Sequence, residues 1–88
     1  MRFRVDAEKI AFRFADGEAV LINTATSYYY SLNPVGAFLW KLLTERSRSV
    51  PELAEAVARE YGQAPEAVSA DIQCLLDDLK AEDLVVEE

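Results

Sequence analysis

Sixteen carboxylates, one thiol and four phenols are the side chains of this 88-residue sequence that stand out as candidates for chemistry, and histidine is absent. Without an imidazole there is no neutral-pH imidazole base, no His-based triad and no His-containing metal site. A hydrolase or metalloenzyme would have to run on carboxylates alone. Asp77 and Asp78 are the obvious pair, but adjacent helical residues diverge by about 100° and do not aim at one reacting atom. Cys74 is followed and preceded by acids (Asp71, Asp77, Asp78), and neighbouring negative charge disfavours a thiolate nucleophile. It reads as a small packing residue. Three glycines leave no glycine-rich phosphate loop. The residues therefore predict a protein with no catalytic group, no cofactor and no metal.

Tyr28-Tyr29-Tyr30 is the most unusual local feature. Strand alternation puts Tyr28, Tyr30 and Leu32 on one face and Tyr29 and Ser31 on the other. Two readings stand side by side. Tyr28 and Tyr30 can be core aromatics whose hydroxyls reach the rim. Alternatively the strand lies at a sheet edge, where its backbone amides and carbonyls pair with an extended peptide and its side chains shape pockets.

The elements that would position these residues follow from periodicity. Ile10–Phe14 alternates, with Ile10, Phe12 and Phe14 on one face. Asp16-Gly17 is a hairpin-turn signal, Glu18–Asn23 is the return strand, and Tyr28–Leu32 is the third. Phe3 and Val5 fit a short additional strand. After Leu32 the period becomes helical. Asn33-Pro34 is a capped start, followed by Val35, Phe38, Leu39, Leu42 and Leu43. Ser49-Val-Pro-Glu52 is a capping box opening a second helix, which carries Leu53, Val57 and Tyr61 and ends at Gly62. Pro65 opens a third with Val68, Ile72, Leu75, Leu76 and Leu79, stopping near Asp83; Leu84–Val86 can turn back onto the core. The fold class expected is α+β: one domain over residues 1–88, a three-stranded antiparallel sheet over about 3–32 and then three helices over about 34–82, small and winged helix-turn-helix-like.

Apolar residues make up 51%, which marks a globular chain. No apolar run exceeds four residues, against the roughly 20 that span a bilayer. Met1–Asp6 lacks the apolar core of a secretory signal, and one cysteine cannot staple the fold, so the expected compartment is the cytoplasm with no membrane contact. The formal charge of −7 is unevenly spread. Residues 1–27 are neutral, 28–50 carry +2, and 51–88 carry −9 from two bases and eleven acids. These acids can be solvated helix faces, or they can attract a cationic peptide or basic surface. They argue against nucleic acid: a DNA-reading third helix needs outward Arg, Lys or Asn, whereas residues 66–83 carry six acids against Lys80.

Val20–Asn23, Tyr29–Asn33 and Gly36–Leu43, followed by Val50–Leu53, Tyr61, Asp71-Ile72 and Leu75–Leu79, resemble the PqqD family in order and spacing over about residues 10–86. The resemblance implies a RiPP recognition element with a winged-helix-like fold. Such a domain binds the leader segment of a ribosomally made precursor peptide as an added strand, in the groove between the third strand and third helix. It presents the leader to a maturation enzyme such as a radical-SAM protein, a leader peptidase or a cyclase, in coenzyme PQQ or other RiPP biosynthesis. Carried onto this chain, the peptide-binding residues are Tyr28, Tyr29, Tyr30, Ser31 and Leu32 on the strand, with Asp71, Leu75 and Asp78 on the helix. One departure is Asp83, where the family often has glycine before the final Leu-Val. Two rival functions predict different behaviour: a stand-alone interaction domain that homodimerises through an open edge, and a winged-helix DNA-binding regulator.

Overall fold

A computed structural model describes residues 2–5 and 8–88. Met1, Asp6 and Ala7, which fall within the expected domain and strand ranges, lie outside the described residues. In chain order the elements are β1 (Arg2–Val5), β2 (Ile10–Ala15), β3 (Glu18–Asn23), β4 (Tyr28–Leu32), α1 (Pro34–Glu45), β5 (Arg48–Ser49), α2 (Val50–Tyr61), α3 (Pro65–Ala81) and β6 (Val85–Glu87). The α+β class holds. The winged helix-turn-helix likeness is loose, since the long hairpin precedes the helices instead of following the third.

The first sheet has the order β2-β3-β4, antiparallel throughout. Asp16 and Gly17 connect β2 to β3 with φ of 54° and 77°. Both central residues therefore take the left-handed conformation that matches the twist of a two-residue hairpin. Between β3 and β4, Asn23 Oδ1 accepts from the amides of Ala25 (3.0 Å) and Thr26 (3.4 Å), and the Ser27 amide donates to the Asn23 carbonyl at 2.7 Å. Asn23 is the buried polar residue that closes this turn.

A second sheet, β5-β1-β6, joins the two chain ends to the α1–α2 connection. Phe3, Leu84 and Val85 bury their side chains in it. The strand expected around Phe3 and Val5 and the return of Leu84–Val86 are both present. β5 is the addition: two residues pairing with Arg2 and Phe3, too short to leave any periodicity.

The helices begin and end as their residues dictate. Asn33 Oδ1 caps α1 by accepting from the Gly36 amide at 2.8 Å. At α2 the capping box is complete: Ser49 Oγ accepts from the Glu52 amide, and Glu52 Oε1 accepts from the Ser49 amide. Gly62, at φ 67°, ends α2. α3 has Ala64 at its N-cap position and hence no side-chain cap. It ends in a Schellman arrangement in which the Leu84 amide donates to the Leu79 carbonyl (2.8 Å) and the Asp83 amide to the Lys80 carbonyl (3.0 Å). Asp83 takes φ 58° there, so aspartate accepts the conformation that glycine takes more readily.

Trp40 is fully buried at the centre, among Phe3, Leu21, Leu39, Leu53, Leu76 and Leu79. Two side-chain placements stand out here, the second of them correcting an expectation. Phe12 and Phe14 share the inner face with Ile10, yet they remain substantially exposed. β2 is the outer strand and α1 packs on β3, so helical cover reaches only the edge of Phe12, whose ring meets Trp40 at 5.8 Å. Cys74, read as a packing residue, is exposed, because α3 buries the face carrying Val68, Ile72, Leu76 and Leu79.

Candidate functional site

β4 pairs only with β3, and its other side has no strand among the described residues. α3 packs on α2 and β6, and not closely on β4. Between β4 and α3 lies a cavity of about 480 Å³. One wall is Tyr30, Ser31 and Leu32; the opposite wall is Val68, Asp71, Ile72 and Leu75. α1 contributes Val35, Gly36 and Leu39, and the end of α2 contributes Val57 and Tyr61. The lining is mainly apolar, the type of concavity that takes up side chains of a ligand.

The local sequence explains each wall. Alternation along β4 sends Leu32 into the core (3% exposed) and leaves Tyr30 half-buried at the rim. Gly36 is needed where α1 leaves the strand. A Cβ there would sit 3.2 Å from Leu32 Cβ and 3.3 Å from Asn33 Oδ1, which is tighter than normal packing. Asp71 and Leu75, four apart on α3, fall on one helix face as helical geometry requires. Tyr61 is held edge-on to Phe38, ring centroids 6.0 Å apart.

The eight residues expected to bind peptide divide into two groups. Tyr30, Ser31, Leu32, Asp71 and Leu75 come together around the cavity. Tyr28, Tyr29 and Asp78 do not line it. Tyr28 is 54% exposed, which corrects its reading as a core aromatic, because the outer end of β4 extends past the helical cover. Tyr29 points away on the opposite face at 67% exposure, opposite Ile22 in the register. Asp78 acts at a distance. Tyr30's phenol is pushed above its ordinary value of 10.0, first by burial and then by the negative charges of Asp78 and Glu82, with a smaller contribution from Tyr28. The negative charges of Asp78 and Glu82 thus reach Tyr30, although neither residue lines the cavity.

The α1 and α2 residues of the lining were missed from sequence. Val35 and Tyr61 read from sequence as members of helix stripes, and only the fold shows that both stay partly exposed (38% and 42%). Nothing local distinguishes Val57 or Leu39 from the rest of their stripes. Among the described residues no cluster of three or more His, Cys, Asp or Glu could hold a metal ion, and no helix is long and apolar enough to cross a membrane.

A sequence model for Coenzyme PQQ synthesis protein D (PqqD) matches residues 18–85 of the chain. No curated protein matches. A solved structure described as TbiB1 in complex with the TbiA(beta) leader peptide is similar, with a TM-score of 0.86 and 26% identity over 97% of this chain and 96% of that one. Another, lasso peptide synthetase B1 complexed with the leader peptide, is similar in fold, with a TM-score of 0.81 and 24% identity over 97% of this chain and 98% of that one.

Proposed function

The chain belongs to the PqqD family, and on that premise we propose that it binds the leader segment of a ribosomally made precursor peptide and delivers it to a modifying enzyme. The observation that carries this reading is the unpaired side of β4 facing the apolar cavity across from α3. An extended segment entering there adds a fourth strand, and backbone hydrogen bonds to Tyr28–Leu32 supply sequence-independent affinity. Every second side chain of the added strand then faces the cavity, where Leu75, Ile72 and Leu39 desolvate it. Asp71 sits in the wall, and the charge of Asp78 is felt at Tyr30. Tyr29 presents its side chain to the outer face, so its share is through the backbone. The similarity to TbiB1, solved with a leader peptide, supports this use of the fold. On this reading the protein is a non-catalytic cytoplasmic chaperone. The chemistry belongs to its partner, a radical-SAM protein, a leader peptidase or a cyclase in coenzyme PQQ or other RiPP biosynthesis.

Calorimetry tests this with the leader of the precursor encoded beside the chain's gene. The leader binds the wild-type protein, Leu75→Glu weakens it at least tenfold by placing a charge in the apolar wall, and Asp78→Ala weakens it less. Equal, negligible losses would remove the ligand from this groove. The same open edge also permits a second copy to pair along β4, so a stable dimer indifferent to added leader would favour a homotypic interaction domain.

A further inference from the structure

One carboxylate stands in the wall of the otherwise uncharged cavity. Of the side chains that line the space between β4 and α3, Asp71 is the only charged one, and no lysine or arginine is among them. Its carboxylate makes no hydrogen bond or ion pair among the described residues. Residues 51–88 hold two bases, and both are engaged elsewhere: Arg59 pairs with Glu55 at 3.1 Å and Lys80 with Glu87 at 2.6 Å. Asp71 is exposed in the free protein, so water satisfies its charge there.

A bound segment changes that. Leu75 lies four residues along α3 from Asp71, about 6 Å on the helix axis, and Ile72 is the next residue in the chain. A ligand that covers Leu75 and Ile72 with apolar side chains strips water from Asp71 as well. A carboxylate left dry and unpaired is strongly penalised, whereas one met by a cation gains a charge-assisted hydrogen bond. Tyr30 and Tyr61 line the same space, and tyrosine rings attract cations over their faces. The cavity therefore discriminates among side chains. An acidic one is repelled, an apolar one leaves Asp71 unpaired, and a cationic one satisfies it.

We infer that Asp71 is a specificity-determining residue of this groove, and that the bound segment places an arginine or lysine in the cavity. Its charged head meets the Asp71 carboxylate while its methylene stem lies along the apolar wall. Arginine fits better than lysine, because a guanidinium is more weakly hydrated and engages both carboxylate oxygens. The inference rests on the leader-binding reading and adds the class of side chain that the site selects.

Calorimetry with the purified full chain and synthetic copies of the encoded leader tests it. In each copy one basic residue is replaced by a neutral one of similar length, citrulline for arginine or norleucine for lysine. One such replacement weakens binding to the wild type about tenfold. In Asp71→Asn the same replacement changes binding by less than about twofold, as expected when the partner charge is already gone. Asp78→Asn, which lies off the cavity, keeps the full effect. Fluorescence of the buried Trp40 verifies that both variants are folded. If the leader binds and Leu75→Glu weakens it, yet no basic residue of the leader couples to Asp71, the selection is overturned while leader binding stands. If the leader does not bind at all, both readings fall.

Discussion

Tyr30 is where strand, cavity and acidic helix end meet, and its ionisation reports on all three. Burial and the charges of Asp78 and Glu82 favour the neutral phenol in the folded protein. Its contribution to stability is therefore complete below the ordinary value of 10.0 and is lost as pH rises through the higher folded value. Tyr30→Phe removes that term, so its urea midpoint falls less steeply than wild type above pH 10; parallel curves would mean the phenol is not coupled to folding. The sole tryptophan, Trp40, is fully buried and gives the fluorescence signal. Gly36 is a second informative residue. Alanine would gain up to about 1 kcal/mol of helix propensity, but the Cβ meets Leu32 at 3.2 Å, and Leu32 is locked in the core. Overpacking of this kind costs about 1–3 kcal/mol, so Gly36→Ala lowers the urea midpoint on balance. Sequence marked Tyr30 through its strand pattern. The demand for glycine at position 36 comes from the close approach of a helix start to the preceding strand, which no local pattern encodes.

At the scale of elements, the α2 start is the best-tied and the α3 start the least. Glu52 accepts hydrogen bonds from the Ser49 amide and hydroxyl, and its carboxyl is held below the ordinary 4.5 chiefly by those bonds, with Arg2 adding to them. The stability it contributes is present above pH 4.5 and disappears as pH falls through the lower folded value. Glu52→Gln is expected to flatten the loss of stability on acidification, seen as a shallower fall of urea midpoint below pH 4.5; an unchanged acid limb would count against it. Ser49→Ala removes the cap and costs about 1 kcal/mol. Conversely, Ala64→Ser supplies the cap that α3 lacks and stabilises by about 0.5–1 kcal/mol. Thermal unfolding that ranks Ala64→Ser above wild type and Ser49→Ala below it checks both. Both helix starts were legible, since capping acts within four residues. β5 was not, because two residues become a strand only when β1 arrives from the far end of the chain.

For the whole molecule, the charge distribution governs encounter. Eleven acids after residue 50 place a negative field over the α3 side, so a cationic leader is drawn in faster at low salt, and the rate falls as ionic strength rises. Stopped-flow association of a leader carrying lysine or arginine shows that decline; a salt-independent rate would mean the acids are only solvating. Light scattering across a range of protein concentrations gives a monomer when leader is present, because the peptide occupies the β4 edge that a second copy would need. A dimer that persists with saturating leader would place the two on different surfaces.

By itself the sequence determined the α+β class, the three main strands and three helices, the caps, and the lack of an imidazole. All of these depend on residue type and short-range spacing. The family was legible as well, because its motifs keep their order along the chain. Only the tertiary structure decided that β4 is an outer strand, that α3 stands off from it, and that Tyr30, Leu32, Asp71 and Leu75 face one cavity while Tyr28 and Tyr29 stay outside. The physical reason is distance along the chain. Alternation and helical period state which face a residue takes, whereas a groove between positions some forty residues apart is fixed by how α1 and α2 pack between them.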